Sequence, residues 1–123
     1  MDKLFLSPLS KTWILDVDGT ILKHNGYKHG GDVVLPGVKE TFSKFAKEDK
    51  IILLTARKKE QKNALENFLK INKIRFDEII FEVPVGERIL INDSKPSGLI
   101  TAIAIPKGRD SALNIEVIID PTK

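Results

Sequence analysis

Four short apolar runs punctuate the chain and set the expectation of a sheet. Trp13-Ile14-Leu15 leads into Asp16, Ile51-Ile52-Leu53-Leu54 ends at Thr55, and Glu78 to Val83 and Arg88 to Ile91 follow, the last ending at Asn92-Asp93. Each is short, and most are rich in β-branched residues, as buried strands are. Further apolar runs at 99–105 and 115–119 have room for one or two more strands. Between the first two runs, Val38, Phe42, Phe45 and Ala46 recur at helical spacing, with Pro36 at the first turn, where its missing N–H costs nothing. That helix stops at the charged run Lys47 to Lys50. Residues 57–72 repeat the pattern, with Ala64, Leu65, Phe68 and Leu69 on one face and Lys and Glu on the other. Residues 21–35, rich in Gly, His, Lys and Asn and closing on Val33-Val34-Leu35, read as a loop or β-hairpin flap. Strands alternating with helices predict an α/β protein with a mainly parallel, helix-covered sheet, although the last third is strand-rich.

Composition narrows the picture little. The 123 residues, 41% hydrophobic and 30% charged, suit one modest domain with its own core, spanning 1–123. No apolar run reaches the eighteen or so residues of a membrane span, and Met1 to Leu9 has no basic start followed by a long apolar stretch, so a cytoplasmic protein without a membrane partner is expected. Cysteine is absent, which excludes disulfides and thiolate metal sites. The net charge is +3, and its lysines are spread along the chain without interleaved aromatics, which points to a solvated surface rather than a nucleic-acid interface.

The candidate chemistry starts at Asp16-Val17-Asp18-Gly19-Thr20. Average composition makes that string a chance event in about one in a thousand chains of this length. Side chains alternate along a strand, so Asp16 and Asp18 share a side, and Gly19 permits a sharp departure. Two carboxylates at one point repel, and a hard divalent cation bound through oxygen relieves the repulsion, Mg²⁺ being the natural candidate. Open α/β sheets bind ligands at the carboxyl ends of their strands, where Asp16, Thr55 and Asp93 would stand.

The D-x-D-G-T string after an apolar strand resembles the first signature of the haloacid dehalogenase-like (HAD) phosphohydrolases. The resemblance implies that Asp16 attacks phosphorus to form an aspartyl-phosphate, while Asp18 protonates the leaving oxygen and then activates water. Leu53-Leu54-Thr55-Ala56-Arg57 is similar to the second signature, which implies that Thr55 orients the phosphoryl group. Thr20 and Ala56 join the expected phosphate-binding set, and Arg57 is either a donor fork to phosphate or a surface charge. Ile89-Leu90-Ile91-Asn92-Asp93 resembles the fourth signature, which makes Asp93 the third Mg²⁺ ligand beside Asp16 and Asp18; Asn92 departs from the usual acid or glycine. The third signature is a lysine ahead of that strand, and the 84–88 connection has no room for its helix. Lys95 is the preferred substitute and Arg88 the second choice.

No interval is long enough for the inserted cap of the larger members. The resemblance is therefore to the capless branch, a Rossmann-like three-layer fold with a small β-hairpin flap after the first strand. Such members admit large substrates or close the site with a neighbouring subunit, which leaves a homo-oligomer open. The flap residues His24, Tyr27, Lys28 and His29 are candidate contacts to an anionic or sugar-bearing substrate. The segment 86–98 looks like small bacterial HAD proteins associated with surface-polysaccharide or sugar-nucleotide biosynthesis. The expected function is Mg²⁺-dependent hydrolysis of a phosphomonoester, on a sugar or nucleotide-sugar phosphate. The alternatives are a receiver-like phosphoacceptor module and a non-catalytic phosphosugar-binding protein.

Overall fold

The computed structural model describes residues 2–123. Five strands and two α-helices follow in the order β1 (Asp2–Leu6), β2 (Thr12–Asp16), α1 (Val38–Ser43), β3 (Lys50–Leu54), α2 (Lys62–Ile71), β4 (Glu78–Ile80) and β5 (Ile115–Ile119), with single 3₁₀ turns at Gly26–Lys28 and Lys59–Gln61. All strand pairs are parallel, in two sheets ordered β2-β3-β4 and β1-β5. The chain is thus an α/β protein with parallel sheets, and the β2–β3 register sets Asp16 beside Leu54.

Period-two burial explains the middle strand. Ile51 and Leu53 of β3 are fully buried, and between and after them Ile52 and Leu54 are half-buried. Against this layer α2 places Leu65 and Leu69, four residues apart and fully buried, with Phe68 partly covered beside them. From α1 come Val38 and Phe42, joined by Phe45 just beyond it, whose ring stacks on Trp13 of β2 at 4.3 Å. Helix α1 is shorter than the pattern at 36–46 predicts and starts after Gly37 rather than at Pro36. Gly37 has φ 80°, and a Cβ there would overlap the Leu113 carbonyl oxygen, so only glycine fits. That carbonyl also accepts the Thr41 hydroxyl at 3.1 Å, tying the segment before β5 to α1.

The predicted flap is present as two short arms. Lys23 N–H donates to Val33 O and Leu35 N–H to Ile21 O, both at 2.9 Å, around the 3₁₀ turn at Gly26–Lys28. Ile21 and Leu22 at its base are fully buried, which fixes it to the core.

Three expectations are corrected. The strand expected over 78–83 stops at Ile80, because Glu82 takes φ 58° and bends the chain, its N–H donating to Arg57 O at 2.9 Å and that of Val83 to Thr55 O at 3.0 Å, out of the ladder's register. No strand forms over 88–91, where Ile89 and Ile91 are 82% and 91% exposed, and residues 99–105 form none either. A parallel crossover normally takes a dozen or more residues, and the connection from β4 to residue 88 is well short of that. Conversely, Asp2–Leu6, which the apolar pattern left unassigned, pairs in register with Ile115–Ile119. No described helix is long and apolar enough to cross a membrane.

Candidate functional site at the strand ends

At the end of β2 the chain leaves the sheet through a tight turn. Val17 N–H still donates to Leu54 O at 2.9 Å, and Val17 O then accepts the N–H groups of Thr20, Ile21 and Leu22. Gly19 holds φ 87° inside this turn, and its carbonyl accepts Asp110 N–H at 2.9 Å and the Lys107 ammonium at 3.1 Å. Asp110 in turn accepts His24 N–H at 2.7 Å, so the late segment 107–110 braces both the acidic turn and the flap. Burial lowers the pKa of Lys107, and Asp110 opposes the shift.

Two of the predicted signatures meet. Thr55, fully buried at the end of β3, donates its hydroxyl to Asp18 Oδ2 at 3.1 Å and accepts Arg57 N–H at the same distance. Arg57 is no surface charge, since only 2% of its side chain is exposed. Its Nε lies 3.2 Å from both Asp18 oxygens, and its Nη2 2.7 Å from Asp18 Oδ1. The other side of the guanidinium forks onto Asp32 of the flap, Nη1 to Oδ2 at 3.0 Å and Nη2 to Oδ1 at 2.7 Å. Tyr27 covers the group, its ring centroid 3.9 Å from Cζ. Burial alone would lower the Arg57 pKa, but its hydrogen bonds to Asp32 and Asp18 outweigh burial and carry the value above the ordinary arginine range. The cation is therefore permanent.

Asp16 has a different partner. One-third exposed, it accepts Arg88 Nη1 on Oδ1 at 3.0 Å. Arg88, the second choice for the neutralising cation, is thus the one beside Asp16. Lys95 sits on an exposed stretch, as do Asn92 and Asp93. Asp93 uses its backbone carbonyl to accept the Thr101 hydroxyl, and Asn92 donates to Thr101 O at 3.2 Å. Neither Asp93 nor Lys95 forms a hydrogen bond or ion pair with Asp16 or Asp18 among the described residues. The reason is the missing strand over 88–91, which was to deliver both. Thr20, Asp16, Arg88, Lys95 and Lys107 line one groove of about 1240 Å³ that runs along β1 and the unpaired edge of β2. Ala56 is exposed beside Arg57, Tyr27 and His24 are half-buried, and Lys28 and His29 are exposed on the flap.

Among the described residues no three Asp, Glu or His side chains come together as a metal site. Asp18 is held by Arg57 and Thr55 and Asp16 by Arg88, while Asp93, the third expected Mg²⁺ ligand, bonds to neither. Asp32 is the member of this cluster that sequence reasoning passed over. A lone acid after Gly30-Gly31 carries no periodic or motif signal, and only the fold reveals that it faces Arg57.

Comparison of the chain with protein-family models, with curated proteins and with solved structures finds no match in any of the three. Its description therefore rests on the fold and on this cluster: a parallel α/β protein whose strand ends gather Asp16, Asp18, Thr55, Arg57 and Arg88.

Proposed function

We propose that the protein is a phosphomonoesterase of the HAD kind, with a capless Rossmann-like fold, acting through an aspartyl-phosphate on Asp16. The observation that carries this reading is the 3.1 Å hydrogen bond between Thr55 and Asp18, which joins the first and second signatures at the ends of adjacent parallel strands. In the reaction an Asp16 oxygen bonds to phosphorus as the ester oxygen departs with a proton from Asp18. Water, deprotonated by Asp18, then attacks phosphorus, releasing inorganic phosphate and restoring Asp16. Asp16 is one-third exposed with one cation beside it, whereas Asp18 is largely enclosed by Arg57 and Thr55. Arg88 stands where it can offset charge on the nucleophile and the incoming phosphate, which phosphoryl transfer requires.

Magnesium dependence belongs to the proposal through the resemblance and not through the carboxylate arrangement, so no step is assigned to the ion. The substrate class, a sugar or nucleotide-sugar phosphate of surface-polysaccharide biosynthesis, rests on the same footing, as does a cytoplasmic location. The test is a panel of sugar and nucleotide phosphates. Phosphate release with Mg²⁺ and its loss in Asp16→Asn are expected, whereas undiminished release in that variant removes Asp16 as nucleophile.

A second reading, phosphoester binding without hydrolysis, is favoured by one specific observation: guanidinium groups already occupy both carboxylates. Tight binding of a phosphosugar without turnover is its mark. Rapid hydrolysis of any phosphomonoester excludes it.

A further inference from the structure

We propose that Asp32 is an internal stand-in for phosphate on Arg57, so that a phosphate group entering the strand-end crevice takes the place of Asp32 on the guanidinium and frees the flap. The inference rests on the crevice being a phosphate-ester site, and it names how the Arg57 side of that site is kept closed. Asp32 grips Arg57 with both oxygens, at 3.0 and 2.7 Å, in the side-by-side fork geometry that guanidinium also makes with phosphate. Asp18 holds the opposite edge, through Nε and Nη2, so Arg57 stays anchored to the β2 turn whichever anion holds the outer edge.

The flap has few other ties to this end of the site. Its tip meets Arg57 through Asp32 and the Tyr27 ring, 3.9 Å from Cζ, and its flank through the single bond from His24 N–H to Asp110. At its base Ile21 and Leu22 remain in the core, which makes a hinge of the arms and a free end of the tip. With 2% of its side chain exposed, Arg57 meets no external ligand while the flap is down. Ligand binding therefore requires the open state, and the observed affinity is reduced by the fraction of molecules in which that state is populated. Weakening the Asp32 contact raises the fraction and tightens binding. A purely structural ion pair predicts the opposite or no change.

The experiment uses inorganic phosphate, with binding followed by calorimetry and flap opening by hydrogen exchange of the Lys23 and Gly31 amides, each bonded within the flap, against that of Leu35 at its base. Asp32→Asn keeps one acceptor for Arg57, and Asp2→Asn, at the exposed start of β1, matches its charge change. Phosphate is expected to accelerate exchange of the wild-type Lys23 and Gly31 amides and leave those of Leu35 and α2 unchanged. Asp32→Asn is expected to bind phosphate about tenfold more tightly than wild type and Asp2→Asn. The proposal is overturned if Asp32→Asn binds no more tightly than Asp2→Asn, if phosphate slows or leaves unchanged exchange in the wild-type flap, or if wild type binds no phosphate. Ester turnover is not the readout, so a chain that opens on phosphate yet hydrolyses nothing sinks the enzymatic reading alone.

Discussion

Arg57 and Asp49 are the residues on which two distant parts of the molecule depend. Arg57 neutralises two carboxylates that are 16% and 9% exposed, so truncating it leaves both nearly buried and unpaired. Breaking a buried pair in this way costs about 3–5 kcal/mol. Arg57→Ala should lose stability on that order in urea, read by the fluorescence of Trp13, the only tryptophan. A loss under about 1 kcal/mol would mean that water screens the cluster as it does a surface pair. Asp49 does a comparable job at the other end of β2. Its carboxylate accepts Lys11 N–H at 2.9 Å, Trp13 Nε1–H at 2.9 Å and Ala46 N–H at 3.1 Å. Burial pushes its pKa up, and these donors outweigh burial and hold it below the ordinary carboxylate value. A depressed native pKa gives stability that is complete above the unfolded value of about 3.9 and lost as pH falls through the native one. Asp49→Asn should therefore be less stable at neutral pH and show a flatter loss of stability below about pH 4. Parallel acid profiles for the two proteins would show that Asp49 contributes nothing to the acid transition.

At the scale of elements, what was legible and what was not divides by the range of the contacts. Strands β2 and β3 were readable because an apolar run ending in Asp16 or Thr55 carries its own signal, and α2 because Leu65 and Leu69 repeat with the helix. The run 88–91 carries the same local signal, yet apolarity cannot say whether a partner edge lies within reach. That depends on the connection from β4, which is short and turned away by Glu82. Strand β1 was missed for the converse reason: its partner β5 lies more than a hundred residues away, and five residues of mixed polarity announce nothing alone. Candidate site residues followed the same rule. Asp16, Asp18 and Thr55 were singled out from motif spacing, but the partners of Arg57 and of Asp93 are tertiary facts. The start of α1 offers a direct check on one such long-range contact. Gly37→Ala places a methyl against Leu113 O at a φ of 80°, so a loss of about 2 kcal/mol or more is expected by thermal unfolding. A neutral substitution would mean that the segment before β5 does not pack on α1 as described.

For the molecule as a whole, the three-stranded parallel sheet acts as a bench that sets Asp16 and Thr55 at one end, and the flap and the 107–110 segment close over that end from two sides. The unpaired edge of β2, Arg88 and Leu90 border the groove beside Asp16, which is the approach to the proposed nucleophile. The central claim is that Asp16 takes up the phosphoryl group, and it is tested most directly by mass spectrometry of the protein quenched during turnover of a phosphomonoester with Mg²⁺. A phosphoryl group on the peptide containing Asp16, absent from Asp16→Asn together with phosphate release, is the predicted result. Release that continues in Asp16→Asn, or no release from any ester by the wild-type protein, would contradict it.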